Sequence, residues 1–226
     1  MDNPNSMETT RSRLLQAALA HVPFDGWSET TLTAAIHDSQ TAPALARALF
    51  PRGGLDLALA YHAAGDQSLR DTLAAMDLTA LRFRDRITTA VRLRLQNADR
   101  DCVRRSATLF ALPQNAIEGS RTLWASADTI WLALGDTSTD LNWYSKRASL
   151  SAVYASTLLF WLGDDTPQQQ ATWAFLDRRI ENVMSFEKTK ARFRENPIGK
   201  ALLAGPLKVL ERVHAPNKAT NLPGKI

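Results

Sequence analysis

The residues richest in recognition chemistry fall in one short run, GDTSTDLNWYSKRASL, from Gly135 to Leu150. Asp140, Asn142, Trp143, Tyr144 and Arg147 set a carboxylate, an amide, two large rings and a guanidinium close together. If the run is helical, Asp140 and Tyr144 are four apart, Trp143 and Arg147 four apart, and Tyr144 and Arg147 three apart. Those four side chains then share one side of the first two turns. Trp, Tyr and Arg are the residues that anchor interfaces, so the chemistry on offer is binding to a partner. Neighbours on a helix diverge by about 100°, so Trp143 and Tyr144 cannot both point wholly inward, and at least one ring meets the surface or another subunit. A capped helix start followed by two core aromatics accounts for the same residues, and composition alone does not separate the two readings.

The patterns of catalysis are missing elsewhere. The four histidines, at 21, 37, 62 and 214, stand far apart, and no Glu-x-x-His supplies the ligand pair of a di-iron helical bundle. No glycine-rich phosphate loop or nucleophile elbow is present. One cysteine, Cys102, excludes an internal disulfide and a thiolate cluster and suits a reducing compartment. The sequence therefore reads as a non-enzyme with no metal and no cofactor.

The elements that must position the run are helices. Apolar residues recur at helical spacing along nearly the whole chain, and no stretch sustains a two-residue alternation. The spacing predicts helices at about 9–22, 29–37, 43–50, 55–76, 81–96, 101–112, 115–134, 140–162 and 168–186, an all-α fold. Ser138 or Thr139 should cap the 140–162 helix, with Asp140 in its first turn against the dipole. Leu150, Val153, Tyr154, Thr157, Leu158 and Trp161 should form its inward stripe. Pro167 should open the next helix at its first position.

The first three segments, with a turn at Gly26-Trp27 and the short opening Thr31-Leu32-Thr33-Ala34-Ala35, resemble the helix-turn-helix head of TetR-type repressors followed by a helical ligand-binding body. The recognition position would be PALARALF, residues 43–50, where Arg47 is the only base. DNA affinity rests on several phosphate contacts by cations and polar groups, so this head argues against DNA as a partner. A ligand-responsive TetR-type transcriptional regulator remains the alternative reading. The expected organisation is a degenerate head over 1–52, a lipid-binding and dimerisation body over 53–187, and a basic linker with an amphipathic tail over 188–226.

The run GDTSTDLNWYSKRASLSAVYASTLLFWLGDDTPQQQATWAFLDRRIENVM resembles the hallmark region of the coenzyme Q (ubiquinone) biosynthesis accessory family, the ninth of the Coq proteins. LLQAALAHVPFDGW near the start and LFALPQN at 109–115 extend the likeness over most of the chain. The resemblance implies a TetR-like homodimer that does not repress transcription. It would bind isoprenoid quinone intermediates and present them to the di-iron demethoxyubiquinone hydroxylase, which supplies the metal and the oxygen chemistry. Carried over residue by residue, the hydroxylase patch is Asp140, Asn142, Trp143, Tyr144 and Arg147, with Ile130 and Trp131 as neighbours on the preceding helix. Leu109, Phe110, Leu112, Leu123, Trp124 and Leu158 are the candidates for a lipid cavity, although a filled core fits each of them singly. TetR-like architecture suggests the 168–186 helix as the dimer surface.

The net charge of +4 is uneven: from Phe186 to Ile226 nine Lys or Arg stand against three Glu. Within that tail, Lys200 and Lys208 border an apolar face of Ile198, Leu202, Leu203, Leu207 and Leu210, a pattern suited to the surface of an anionic membrane. Docking of the tail on its own body fits the pattern equally, and the family resemblance favours the membrane. Gly205-Pro206 should kink this helix. The start MDNPNSMETTRSRLL carries no apolar h-region and includes Asp2 and Glu8. The expectation from it is a bacterial cytoplasmic protein, peripheral at the inner membrane.

Overall fold

The computed structural model describes residues 4–195 and Ala215, and these fold as helices joined by short turns: α1 Pro4–Leu19, α2 Val22–Asp25, α3 Glu29–Asp38, α4 Pro43–Leu49, α5 Gly54–Ala75, α6 Phe83–Gln96, α7 Arg100–Phe110, α8 Ala116–Ala133, α9 Leu141–Leu162 and α10 Gln170–Glu195. The all-α expectation holds, and most boundaries fall within a few residues of the periodicity. Two differences have local causes. The first helix begins at Pro4, and the PFDG break is itself a helical turn, α2, with Pro23 near its start and Gly26 closing it at a φ of 66°. Pro167 opens a 3-10 turn, Pro167–Gln169, before α10. The tail candidates Ile198, Lys200, Leu202, Leu203, Leu207, Lys208 and Leu210 lie outside the described residues.

Two apolar cores share one spine. The head core gathers Leu14, Ala18, Val22, Leu32, Ala35, Ala46 and Phe50 from α1 to α4 and their turns. It is completed from farther along the chain by Leu57 of α5 and Cys102 of α7. The body core runs from Leu69 and Leu73, lower on α5, through Val91, Leu95, Ile130, Val153, Tyr154, Trp161 and Leu176. Helix α5 therefore carries head residues on its first turns and body residues on its last. Its start is tight: Gly53 sits at a φ of 57°, and a Cβ on Gly54 would come within 2.3 Å of the Trp27 carbonyl. No residue larger than glycine lets α5 begin there. The Trp27 indole is held in turn by its Nε1, which donates to the Cys102 carbonyl at 3.0 Å.

In the head, α4 turns Ala44, Leu45 and Ala48 to the outside, and its one base, Arg47, is ion-paired with Glu29 of α3. No helix among the described residues is long and apolar enough to cross a membrane.

Candidate functional site

Helices α8 and α9 are antiparallel neighbours, and the turn between them fixes the site. Gly135, at a φ of 82°, closes α8. The Gly135 amide donates to Leu132 at 3.1 Å and the Asp136 amide to Trp131 at 2.9 Å. This pair of bonds is a Schellman stop, which requires a left-handed residue that glycine supplies without strain. Three candidate caps follow in sequence, and the structure selects the last. Asp140, not Ser138 or Thr139, is the N-cap of α9, and its side chain accepts from the Asn142 amide at 3.0 Å. The Asn142 side chain donates to the second Asp140 oxygen at 2.8 Å, so the two form one capping unit. Ser138 instead donates to Asp136 at 2.7 Å.

The residues of α9 then divide between surface and core. The stripe Leu150, Val153, Tyr154, Thr157, Leu158 and Trp161 is buried, as its spacing predicts. Arg147 joins it at 0% exposed, which corrects its placement on an open patch. Its Nε donates to Asp128 of α8 at 2.6 Å, and its Nη1 donates to Asp136 at 3.0 Å and to the Trp143 carbonyl at 3.2 Å. Its guanidinium lies over the Trp143 ring at 4.1 Å. Lys146 adds a second cation to Asp136 at 2.7 Å. Burial works to raise the Asp136 carboxyl, but bonds from Lys146, Ser138 and Arg147 outweigh it and hold the pKa at about 2.

Above this buried ionic base stand three half-buried rings. Trp143 and Tyr144 meet edge to face at 4.7 Å, and Trp124 of α8 lies 5.8 Å from Trp143 and 6.5 Å from Tyr144. Edge-to-face packing at such separations is the favoured arrangement of aromatic quadrupoles. Trp124 therefore belongs to the aromatic surface and not to the cavity wall where its sequence neighbourhood suggested it. Ile130 is fully buried, and Trp131 is nearly so, with its indole donating to the Lys146 carbonyl at 3.1 Å. Both are supports beneath the patch, which corrects their expected place as contact residues.

A cavity of about 320 Å³ opens between α5, α7, α8 and α9. Of the six lipid candidates, Phe110, Leu123 and Leu158 line it, together with Val103, Ala107 and Leu159. Leu109 packs against the head core and Leu112 is exposed, so neither reaches the wall, which corrects their assignment. The cavity owes part of its shape to Gly119, where a Cβ would meet the Phe110 side chain at 2.7 Å, so α7 and α8 approach closely at its edge. Leu159 and the nearby Ile117 are 64% and 66% exposed, which leaves the rim apolar and open. A second, smaller cavity of about 190 Å³ lies across α9, where Trp131 meets Phe83, Leu150 and Ile180.

Behind the first cavity a polar network that spacing did not reveal crosses the body core. Asp66 of α5, 4% exposed, accepts from Arg94 of α6 at 2.7 Å and from Ser126 of α8 at 2.8 Å. Arg94 also donates to the His62 carbonyl at 3.1 Å. His62 is 6% exposed and lines the cavity. Burial, aided by the Arg94 charge, lowers its pKa from 6.5 to about 3. The neutral ring is thus the folded form, and the unfolded chain binds the extra proton between those two values. Stability from this group is complete above pH 6.5 and is lost as the pH falls toward 3. Urea unfolding should show a loss on the order of 3 kcal/mol by pH 4, ahead of the carboxylate range, and His62→Phe should flatten that part of the profile.

Among the described residues no group of three His, Cys, Asp or Glu is arranged to hold a metal ion. Compared with known proteins, residues 116–187 match the COQ9 family model. The mitochondrial ubiquinone biosynthesis protein COQ9 of Rattus norvegicus is 29% identical over 211 residues, covering 88% of this chain and 66% of its own length. That of Homo sapiens is 28% identical over the same span, covering 65% of its length. The Xenopus tropicalis protein is 30% identical over 191 residues, 80% of this chain and 59% of its own. The chain thus spans slightly under two thirds of the length of these relatives. A TetR transcriptional regulator from Nitrosomonas europaea superposes with a TM-score of 0.62 at 16% identity, over 76% of this chain and 97% of that one, a likeness of fold.

Proposed function

Since the chain belongs to the COQ9 family, we propose that it serves ubiquinone biosynthesis as a non-enzymatic accessory protein. It holds an isoprenoid quinone intermediate in the α7–α8–α9 cavity and presents it, as a homodimer at the membrane surface, to the di-iron demethoxyubiquinone hydroxylase. The observation that carries this reading is the aromatic surface. Three large rings from two helices stand half-exposed over a buried Arg147, and no feature of local helix formation requires them there. Rings set rigidly in this way lose little freedom on binding, which is the property of an interface anchor. The apolar cavity one helix face away supplies the second half of the function, space for a prenyl chain. The membrane role rests on the tail pattern and on the apolar rim around Leu159 and Ile117.

The DNA-binding alternative gains nothing from the fold. The one base of α4 is already paired with Glu29, and the TetR likeness is one of backbone. The test is direct. Surface plasmon resonance with purified hydroxylase should show Trp143→Ala or Tyr144→Ala weakening binding by about thirtyfold, with the circular dichroism spectrum unchanged and the melting point lowered by only a few degrees. Either variant binding at full strength while folded would remove the patch from the interface.

A further inference from the structure

The loop that joins α5 to α6 presents an apolar surface left open among the described residues. Met76 is 40% exposed, Leu81 38% and Phe83 43%. Exposed apolar side chains are ordinary when they stand singly, whereas a cluster marks a contact surface. The loop is held firmly enough to present them. Leu78 turns inward against the body core, and Phe83 packs on Trp131 at 5.6 Å. The Thr79 amide and hydroxyl donate to Asp77 at 2.9 and 2.6 Å, and the Leu81 amide donates to the Leu78 carbonyl at 3.1 Å. Arg86 donates to the Leu81 and Thr79 carbonyls at 3.0 and 3.2 Å. The backbone N–H and C=O of Thr79 and Leu81 are thus all satisfied, which lowers the cost of bringing the tip against an apolar phase.

Cations border the cluster. Arg82 is exposed and makes no ion pair among the described residues, and Arg84 and Arg86 follow it. Of the two acids, Asp77 is engaged by Thr79, and Asp85 lies in the first turn of α6 against its dipole. Helix α10 runs antiparallel to α6, since Arg92 lies over Trp173 at 4.8 Å and Arg84 meets Glu181 at 2.6 Å. Beyond Glu181 it therefore heads past the loop. The sequence of its last turns there sets Lys188, Lys190, Arg192 and Arg194 against Glu187 and Glu195. The chain also comes back to this end. The Ala215 amide donates to the Thr139 carbonyl at 2.8 Å, three residues before Asn142, which shares the smaller cavity with Phe83. The amphipathic run 198–213 thus falls in the chain between two points near the loop.

We propose that this end of the body seats on an anionic bilayer, with Met76, Leu81 and Phe83 in the interfacial layer and Arg82 at the headgroup phosphates. The proposal rests on the reading that the protein works at a membrane surface, and adds a body contact beside the tail. Apolar side chains bordered by cations are the pattern of surfaces that lie in the interface. Each cation held near an anionic leaflet adds attraction. The contact is separate from the rim at Ile117 and Leu159, which lie toward the other ends of α8 and α9.

Met76→Cys and Leu81→Cys, each carrying an environment-sensitive nitrobenzoxadiazole label on the full chain, read the contact directly. Cys102 is 1% exposed and stays unlabelled. Phe24→Cys is the control: Phe24 is 81% exposed and sits in the head, beyond the opposite end of α5. With vesicles of phosphatidylglycerol and phosphatidylcholine, both loop labels should brighten severalfold and shift to the blue, and the Phe24 label should not change. Leu81→Ser should weaken co-sedimentation with these vesicles about tenfold, and Arg82→Gln about fivefold. Both should melt close to the wild type, because both side chains are exposed. A wild type that co-sediments while the loop labels stay dark overturns the body contact and leaves the tail as the membrane element. Loop and head labels that respond alike overturn it too, as does an equal response to phosphatidylcholine alone. If the wild type co-sediments with neither vesicle, the membrane reading and the loop contact fall together.

Discussion

Arg147→Ala should cost about 3–5 kcal/mol of unfolding free energy, read by urea titration and by a melting point lower by roughly 10 °C. The side chain is fully buried and meets both Asp128 and Asp136. Its removal leaves Asp136 with Lys146 alone as counter-ion, strips Asp128 of its cation and opens a void under Trp143. A buried carboxylate robbed of a partner pays its desolvation without return, which is why breaking such a pair is so costly. Arg147→Lys retains the charge but cannot reach two carboxylates and stack on an indole together. It should fall between the alanine variant and the wild type. If the proposed hydroxylase contact exists, the alanine variant should weaken it although Arg147 is fully buried, because the Trp143 ring loses the guanidinium on which it rests. Full hydroxylase affinity in a folded Arg147→Ala protein would show that ring placement does not depend on this base.

Arg94→Met is the second large effect, again about 3–5 kcal/mol, and its second-site partner makes it diagnostic. With Arg94 gone, Asp66 keeps only the Ser126 hydroxyl at 2.8 Å for a charge that is 4% exposed. Adding Asp66→Leu removes the stranded carboxylate, and the double variant should recover most of the loss, because an apolar pair of similar volume replaces a buried ion pair at little cost. A double variant as unstable as the single would place the energy in packing around Arg94 and not in the charge. Circular dichroism in urea distinguishes the two outcomes. His62 adds a further check, since its carbonyl is an Arg94 partner and the single variant should loosen the cavity wall as well.

The helices were legible because burial has a period. The α9 stripe from Leu150 to Trp161 can be read by position alone, and Pro167 marks the restart of the chain, although it opens a 3-10 turn and not the helix itself. The site was legible only in part, and the failures share one cause. Spacing shows which residues share a face, but it does not show which face is inward. It put Arg147 beside Trp143 correctly, and its two acids come from α8 and the turn, a pairing that exists only once α8 and α9 lie antiparallel. Leu123 and Trp124 were assigned together to a lipid wall, yet neighbours on a helix diverge by about 100°, and they face different features. Ser138, Thr139 and Asp140 are all competent caps, and the length of the loop after the Schellman stop selects Asp140. His62 gave no signal, because one histidine on an amphipathic helix looks the same whether it is solvated or buried.

The division of α8 at Leu123 and Trp124 has a thermodynamic consequence. One side of this helix turn bears on the cavity, and the other bears on the rings that α9 presents. Were a ligand in the proposed site to displace Leu123, it would act on the same backbone turn that carries Trp124, and cavity filling would then be coupled to ring placement. Whatever factor a bound lipid applies to the affinity of the outer surface for a protein, that protein must apply to the lipid in return. If the factor is below one, docking of the protein is itself the event that releases the cargo.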